Sequence, residues 1–253
     1  MLVLCCGAAF TTILIVFFID ESYVPSIEKQ KERFSLIYIF KGYQEVIRDR
    51  LFILFILAST LVFSLERQLT GYIGIRLSQE MESQQFLFWR IDGVEMLGIL
   101  RTENTILVVL TGFLVVKIIQ KFSDGKVLLT GVALFISGYT TLCFSNNIWI
   151  LLFMMLVLTI GEVTKAPIEQ SYQAALPPEH ARSSYVALGS LTYHVSSIIA
   201  SLTVTMGAFF SSYVITGIVF VVGMTGAIIF YFILPQLEER KKSHDTLMKN
   251  KGA

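Results

Sequence analysis

The sequence predicts an all-α integral membrane protein with seven transmembrane helices. The chain of 253 residues is 54% hydrophobic and 15% charged, whereas a soluble domain carries about 25% charged residues. Its apolar runs are long enough to cross a hydrocarbon core of about 30 Å as helices. Basic residues concentrate in alternate segments between these runs, as they do in the cytoplasmic loops of membrane proteins. These observations argue against an ordinary soluble domain.

Each predicted span is an apolar run bounded by polar residues. The seven runs are 1–19, 51–75, a stretch within 91–119, 127–144, 148–166, 184–209 and 213–234. The first run is interpreted as a span, because a secretory signal peptide would need a basic start and a small-residue cleavage site. The predicted organisation is a transmembrane helix at 1–19, a basic loop at 20–50, a six-helix bundle at 51–235 and a tail at 236–253.

The distribution of Lys and Arg predicts the orientation of the chain. If seven helices alternate, one side of the membrane receives the loop 20–50, the turn after the third span, Arg182 and the basic tail. The opposite side receives only Arg76 and Arg90. Because cytoplasmic loops are enriched in Lys and Arg, we expect a multi-pass protein of the cell membrane with its N-terminus outside and its C-terminus in the cytoplasm.

The stretch 161–188 carries the most specific pattern in the chain. The pattern consists of Gly161, Glu162, Pro167, Gln170, Pro177, Glu179, Arg182 and Tyr185. It resembles the Gly-Glu…Pro…Pro-x-x-Arg-x-x-Tyr pattern around helices ten and eleven of major facilitator superfamily transporters. The bacterial drug:proton antiporters of that family are the most similar. The resemblance covers nearly the whole chain, which corresponds to helices six to twelve of the family.

Two predicted spans carry further residues that resemble this family. Glu66, Gln68 and Tyr72 in the second span are similar to positions of helix seven. Asn104 in the third span resembles the asparagine of helix eight. The first span resembles helix six, and the loop 20–50 resembles the long central cytoplasmic loop.

The segment 117–126 resembles a degenerate basic loop between helices eight and nine of the family. It contains Lys121 and Asp124, and Gly112 precedes it. Val116 stands where the full motif has an aspartate, so the motif is incomplete in this sequence.

Charged residues inside the predicted spans follow a period of three. The first, fourth and seventh spans contain no Asp, Glu, Lys, Arg or His, and each of the others contains at least one. Because charge inside a membrane is costly, the charge-free helices are expected to face lipid and the others to face the bundle interior. This order fits two inverted three-helix repeats preceded by one extra helix, and such repeats build each half of a major facilitator transporter.

The resemblance implies secondary active transport, with protons exchanged for exported small molecules or drugs. Helices one to five of the family have no counterpart in the sequence, which implies a fragment, a partial gene model or one half of a split pair. The expected partners are the lipid bilayer, a small-molecule substrate, protons, and a separate N-terminal half or a second copy of the chain.

Seven polar residues in the predicted spans are candidates for the substrate and proton pathway. They are Glu66, Gln68, Tyr72, Arg101, Glu103, Asn104 and His194. In one hypothesis Glu66 or Glu103 takes up a proton, because burial favours the neutral form of a carboxyl group. Arg101 and His194 would then contact the substrate, although His194 could equally be a packed polar residue. The alternative is a set of structural ion pairs: Glu66–Arg67, Arg101–Glu103 and Glu162–Lys165.

Five residues near the predicted cytoplasmic helix ends are candidates for gating or structural contacts. They are Lys121, Asp124, Glu162, Lys165 and Arg182. Glu162 and Lys165 are three residues apart and share one helix face, so a latch between them is expected.

The turn between the fifth and sixth spans predicts a specific local structure. Pro177 and Pro178 should end the fifth helix, since proline lacks a backbone donor and disfavours helix in the residue before it. Ser183 or Ser184 is expected to cap the sixth helix. Arg182 is expected to close the cytoplasmic face by bonding carbonyls or a carboxylate at a neighbouring helix end.

Other function classes have less support in the sequence. A seven-helix receptor or sensor and a structural remnant without transport remain alternatives, but the run 213–234 lacks the lysine that a retinal pigment needs. No Walker loop, GxSxG or HExxH motif is present, so an ATP-driven pump or an enzyme is not expected. The three cysteines lack the spacing of a metal site, so no metal is expected. The net charge of +1 gives no indication of a nucleic-acid partner. No catalytic residue and no cofactor are expected either.

Overall fold

The computed structural model describes residues 7, 10–12, 17 and 36–251. The chain divides into two compact units, Met1–Tyr43 and Gln44–Ala253. Most of the predicted first span and most of the predicted loop at 20–50 lie outside the described residues. The second unit contains the helical bundle, which is described by itself below.

Helices make up almost all of the described chain. In order, the elements are α1 (Leu36–Arg48), α2 (Arg50–Gln68), a π turn (Leu69–Ile73), α3 (Gly74–Glu80), β1 (Gln84–Phe86), β2 (Trp89–Ile91), α4 (Gly93–Ile119), α5 (Asp124–Leu142), α6 (Ile148–Ala175), a 3-10 turn (Glu179–Ala181), α7 (Arg182–Gly207) and α8 (Ser212–Lys251).

Five of the described helical segments are long and apolar enough to cross a membrane. They are Arg50–Glu80, Asp124–Leu142, Ile148–Ala175, Glu179–Gly207 and Ser212–Thr246. Helix α4 is not among these five, but its 27 residues extend about 40 Å at about 1.5 Å per residue. The all-α membrane class is confirmed, and the count of seven spans stays a prediction.

The second predicted span is a broken helix. Helix α2 passes into the π turn, where Gly71 has non-helical backbone angles of φ −89° and ψ −107°. A Cβ atom at Gly71 would also lie 3.3 Å from a methyl group of Val204. Because π turns interrupt the regular hydrogen-bond ladder and commonly accompany kinks, the break gives α3 a direction of its own.

Helices α5 and α6 pack closely through small residues. A Cβ atom at Gly138 would lie 2.5 Å from Leu158 Cβ, and one at Gly161 would lie 2.6 Å from the carbonyl oxygen of Gly131. These distances leave room only for glycine, which is how small residues let membrane helices approach each other. Phe135 is fully buried in this part of the bundle.

A two-stranded hairpin separates α3 from α4, in a region where helices and loops alone were predicted. Its strands are antiparallel, with Gln84 opposite Ile91. Helix α4 starts directly after it. The Asp92 side chain accepts the backbone N–H groups of Val94 and Glu95, while the Glu95 carboxylate accepts the N–H of Asp92. This capping box satisfies backbone donors at the helix start.

Arg76 joins α3 to the link between α5 and α6. Its guanidinium lies almost fully buried and donates to Asn146 Oδ1 at 2.6 Å, Ser145 O at 2.6 Å and Leu142 O at 3.1 Å. Glu80 lies 3.6 Å away on the next helical turn. A cation at the C-terminal end of α5 also faces the negative end of the helix dipole. Arg76 was predicted only as a loop charge, and the structure gives it a structural role.

The turn between α6 and α7 agrees with one part of its prediction and corrects another. Helix α6 ends at Ala175, just before Pro177. Helix α7 begins at Arg182, and no side-chain capping bond is found at its start. The prediction that Ser183 or Ser184 caps this helix is wrong. The preceding 3-10 turn already supplies helical geometry, so both serines fall inside the first turn of α7.

Arg240, and not Arg182, makes the contacts with a carbonyl and a carboxylate that were predicted for Arg182. Its guanidinium donates to Leu176 O at 2.6 Å and pairs with the Asp49 carboxylate at 2.7 Å. Asp49 also accepts the hydroxyl of Tyr185 at 2.9 Å. We call these four residues the polar clasp. Arg182 itself is exposed, and its guanidinium makes no hydrogen bond or ion pair within the part of the chain that the structure describes.

Helix α8 reaches Arg240 because it continues through the predicted tail. It has 40 residues and passes through Pro235 without ending. Beyond that proline, Lys241 pairs with Asp124 at 2.6 Å and Glu238 accepts the backbone N–H of Gly125 at 3.2 Å. Asp124, a predicted gating candidate, therefore joins the start of α5 to α8. Lys121, the other candidate in this loop, is exposed.

Candidate functional site

Helix α6 carries two stripes of different character. The apolar stripe consists of Trp149, Phe153, Leu156 and Ile160, which are three or four residues apart and exposed. The charged stripe consists of Glu162, Lys165 and Glu169 with the same spacing. Successive residues are rotated by about 100° around the helix axis. Glu162 follows Ile160 by two residues, so the charged stripe and the apolar stripe lie on nearly opposite sides of α6. The apolar stripe suits lipid, and the charged stripe must face the bundle or water.

The charged stripe lines a groove between α2, α6 and α7, which we call the polar groove. Its volume is about 440 Å³. The four charged residues in its wall are Glu66, Glu162, Lys165 and Glu169, and aromatic side chains such as Phe63 and Tyr193 complete it. Two helices that are distant in sequence, α2 and α6, therefore bring charge to one place within the membrane-spanning part of the bundle.

Lys165 is the most buried charge in the polar groove, with an exposed fraction of 3%. Its ammonium lies 3.4 Å from Glu169 Oε2 and 4.4 Å from the centre of the Phe135 ring. The predicted pair with Glu162 does not form. Glu169 follows Lys165 by four residues, a spacing that brings two side chains together on one face, whereas Glu162 accepts a hydrogen bond from Asn104. A carboxylate and an aromatic face thus stabilise a lysine that burial alone would destabilise.

Glu162 contacts α4 through Asn104. The Asn104 amide nitrogen lies 3.0 Å from Glu162 Oε2 and 3.0 Å from Thr159 Oγ1. The Thr159 hydroxyl in turn donates to the carbonyl of Met155 at 2.7 Å. Asn104 was predicted as a pathway residue and Glu162 as part of a latch. The structure joins the two residues in one polar contact.

Glu66 and Arg67 form a long ion pair beside the groove, with 3.7 Å between their charged atoms. The Arg67 guanidinium also lies 4.7 Å from the centre of the Phe63 ring and 4.4 Å from that of Tyr193. Cation–π contacts of this kind hold the arginine between two rings. Glu66 therefore has a weak partner and remains available to the groove.

The charges at the polar groove do not balance. Three carboxylates, Glu66, Glu162 and Glu169, face two cations, Arg67 and Lys165, so one negative charge is left over when all are ionised. The carboxylates are spread along the groove. Among the described residues no three His, Cys, Asp or Glu side chains come together in a way that could hold a metal ion.

Arg101 and Glu103 on α4 lie away from the polar groove, and the predicted pair between them does not form. Arg101 is exposed. Glu103 lines a separate, mostly apolar groove with Ile106 and Leu152, where one of its carboxylate oxygens is buried without a partner among the described residues. Because Arg101 and Glu103 are two residues apart on a helix, they are rotated by about 200° from each other, and their side chains lie on different faces.

The remaining pathway candidates also lie outside the polar groove. Gln68 is buried and donates to Thr203 Oγ1 at 3.2 Å, which ties α2 to α7. Tyr72 is buried, and a Cβ atom at Gly207 would lie 2.7 Å from its ring. Both side chains contact α7 in this structure. His194 is exposed on α7, with its ring 5.5 Å from that of Tyr193.

Sequence reasoning missed Glu169, Asp49 and Arg240 as candidates. A signal existed for Glu169, because it follows Lys165 by four residues on the same helix. Asp49 precedes an apolar run as helix-capping residues do, and it does accept the N–H of Phe52. Arg240 gave no local signal, because its partners lie on α2 and α6.

Comparison with known families identifies the fold. A sequence model described as Major Facilitator Superfamily matches residues 93–251, from α4 to the end of α8. The chain belongs to the major facilitator superfamily. A curated relative in this comparison is a Na⁺, Li⁺, K⁺/H⁺ antiporter from Planococcus maritimus. It is 29% identical over 210 residues, covering 78% of this chain and 50% of the relative.

Two crystal structures of POT family transporters have a similar fold. One, in complex with a thioalcohol-conjugated peptide, has a TM-score of 0.57 at 14% identity and covers 92% of this chain and 54% of that one. The other, in complex with 5-aminolevulinic acid, has a TM-score of 0.58 at 15% identity, with coverages of 94% and 53%. The chain spans about half the length of the antiporter and of these two transporters, and it corresponds to the C-terminal half of a major facilitator transporter.

Proposed function

We propose that the chain is the C-terminal half of a proton-coupled antiporter, in which the polar groove exchanges a proton for a positively charged solute. The surplus negative charge in the groove is the observation that carries this proposal. One proton or one monovalent cation neutralises it, so the two compete for the same place. Competition of this kind is the minimum requirement for exchange transport.

Glu66 and Glu162 are the proposed exchange groups. The nearest basic atom to Glu66 is 3.7 Å away, and Glu162 contacts an uncharged amide, whereas Glu169 has Lys165 in contact. Neither Glu66 nor Glu162 has a strong cationic partner, so each leaves negative charge available to a proton or a cation that enters the groove. Of the two carboxylates that the sequence offers as proton acceptors, the proposal uses Glu66 and not Glu103, because only Glu66 lines the groove.

Two classes of solute suit the groove. The name of the Planococcus maritimus relative supports an alkali cation. The apolar and aromatic side chains of the groove wall support an organic cation, whose hydrocarbon parts pack against such side chains. The export of drugs that the sequence resemblance implies belongs to the second class.

The polar groove opens on one side of this half, and we propose that a second half covers it. In major facilitator transporters two six-helix halves rock against each other around a central site. The second half is an N-terminal domain of the same protein, a separate chain or a second copy. We also propose a cell-membrane location with the C-terminus in the cytoplasm, on the Lys and Arg distribution.

Proton exchange in vesicles tests the proposal. The chain is reconstituted alone, and also joined to the N-terminal half of the Planococcus maritimus relative, with a pH-sensitive dye inside the vesicles. A pH gradient is imposed, and Na⁺, Li⁺, K⁺ or tetraphenylphosphonium is added outside. We expect cation-dependent proton movement from the joined protein and none from the chain alone, whose groove has a single wall.

Two outcomes would contradict parts of this proposal. A folded joined protein that moves no protons with any of these cations would refute cation/proton exchange. Uncoupler-sensitive exchange by the chain alone would refute the need for a different half and would point to a second copy. A response to tetraphenylphosphonium without a response to alkali cations would select the organic class.

A further inference from the structure

The hairpin at 84–91 has an unusual tip. Phe86 pairs with Trp89, which leaves Leu87 and Phe88 as a two-residue turn. Leu87 has a positive φ of 56°. Two-residue hairpin turns normally place Asn, Asp or Gly at such positions, and bulky residues rarely adopt a positive φ. Hairpin folding therefore does not explain a leucine here.

The tip is exposed as well as apolar. The exposed fractions of Leu87, Phe88 and Trp89 are 65%, 94% and 76%. Three consecutive large apolar side chains at an exposed turn form a contact surface that nothing in the described chain covers. Such surfaces mark interaction sites rather than ordinary loops.

The hairpin is held firmly against the bundle. The Gln84 amide donates to the carbonyl of Asn146 at 2.6 Å, and Ile91 is buried. The Phe86 ring lies 5.2 Å from the ring of Trp149. The capping box at Asp92 starts α4 directly after the second strand. The direction of the tip is therefore fixed relative to α6.

Trp149 shows which surface the hairpin continues. It is the first residue of the apolar stripe of α6, on nearly the opposite side of that helix from Glu162 and the polar groove. Through Phe86, the hairpin joins the end of this stripe. Since α3 ends and α4 begins beside it, the hairpin lies at the level where membrane spans end. Tryptophan is enriched at this level because its ring is apolar and its N–H is polar.

We propose that the hairpin is a membrane anchor. Its tip, Leu87 and Phe88, inserts into the leaflet at that end of the bundle, and Trp89 lies at the boundary between headgroups and acyl chains. The occupant of this surface is lipid, because the tip continues a surface that already suits lipid and turns away from the groove that a second half would cover. The anchor holds the end of α3 and the start of α4 at a constant depth in the membrane.

Tryptophan fluorescence tests this anchor, because the chain has only two tryptophans. The variant Trp149→Phe keeps a ring against Phe86 and leaves Trp89 as the single reporter. The protein is reconstituted in phosphatidylcholine vesicles whose acyl chains are brominated close to the headgroup or close to the bilayer centre. We expect strong quenching of Trp89 by the shallow bromines and weaker quenching by the deep ones.

A turn variant provides the second measurement. Adding Leu87→Asn and Phe88→Gly to Trp149→Phe gives the turn residues that hairpins prefer and removes the apolar tip. We expect the bromine quenching of Trp89 to fall to half of its original value or less, while the helical circular dichroism is unchanged. The Trp89→Phe variant, which reports on Trp149, should be quenched with or without the turn changes.

The outcomes that overturn the anchor are distinct. Trp89 that is insensitive to bromine but quenched by acrylamide lies in water. Trp89 that is insensitive to both is covered by protein, either a second copy or another half. Either result in the Trp149→Phe protein refutes lipid insertion even if the turn variant fails to fold. Equal quenching before and after the turn changes would show that Leu87 and Phe88 are not the inserted residues.

Discussion

Glu66 and Glu103 are both carboxylates in the middle of long apolar helices, but their surroundings differ. Glu66 shares the polar groove with Glu162, Lys165 and Glu169, whereas Glu103 lies in a mostly apolar groove on α4. A proton carrier must exchange its proton while other charges in the same cavity respond to it. Only Glu66 has such neighbours within reach, so the two residues form a natural comparison.

We expect Glu66→Gln to abolish cation-dependent proton movement in the joined protein, because glutamine leaves the groove with no surplus negative charge. Glu103→Gln is the matched control and should retain exchange, since it lies outside the groove. Vesicle assays at equal protein incorporation measure both. Exchange that survives Glu66→Gln and disappears in Glu103→Gln would transfer the role to Glu103 and remove the polar groove from the mechanism.

At the scale of helices, polar contacts at both ends of the bundle join elements that are distant in sequence. The polar clasp connects the start of α2 with the end of α6 and the extension of α8. At the other end, Arg76 connects α3 with the end of α5 and the loop before α6. Helix ends carry unpaired carbonyls, and an arginine can satisfy several of them at once.

Arg240→Ala should destabilise the bundle by about 1.5–3 kcal/mol, the usual contribution of hydrogen bonds to charged groups. Arg182→Ala is the control, and its effect should stay within about 0.5 kcal/mol, because its side chain is exposed. The midpoint of unfolding by dodecyl sulfate in mixed micelles measures both. Equal effects of the two variants would mean that the polar clasp adds nothing to stability.

Arg76→Ala should be more damaging, at about 3 kcal/mol, because it leaves buried carbonyl oxygens without donors. Arg76→Lys should restore only part of this loss, since a lysine cannot reproduce the planar fork of a guanidinium. Arg90→Ala, at an exposed position of the hairpin, serves as the control. Membrane abundance and the unfolding midpoint are measured together, and a full rescue by lysine would contradict the geometry described above.

For the whole molecule, orientation in the membrane decides which end of the polar groove faces which compartment. The Lys and Arg distribution predicts that Lys41 and Lys249 are cytoplasmic and that Gln84 is external. In a background without Cys5, Cys6 and Cys143, cysteine is introduced at 249 or at Gln85, the exposed neighbour of Gln84.

An impermeant thiol reagent added to intact cells should label the cysteine at 85 and leave the cysteine at 249 unlabelled. Labelling of both positions after the cells are opened is the control for accessibility. The reverse pattern in intact cells would invert the orientation and exchange the roles of the two bundle ends. It would leave the fold and the polar groove unchanged.

The sequence alone determined the membrane class, most of the span positions and the family. These depend on local composition, on runs of about 20 apolar residues and on the pattern at 161–188, all of which are readable along the chain. It did not reveal the hairpin, whose apolar tip lacks the usual turn residues. It also predicted a separate tail at 236–253, where α8 continues as a helix to Lys251.

Only the tertiary structure decided which charges meet. In the sequence, both Glu162 and Glu169 lie about one helical turn from Lys165, and no partner of Asn104 could be assigned. In the fold, Asn104 donates a hydrogen bond to Glu162, and Lys165 pairs with Glu169. For the same reason, the contacts predicted for Arg182 are made by Arg240, whose carbonyl and carboxylate partners belong to other helices. Hydrogen bonds and ion pairs depend on distances of about 3 Å, and the packing of helices far apart in the chain sets those distances.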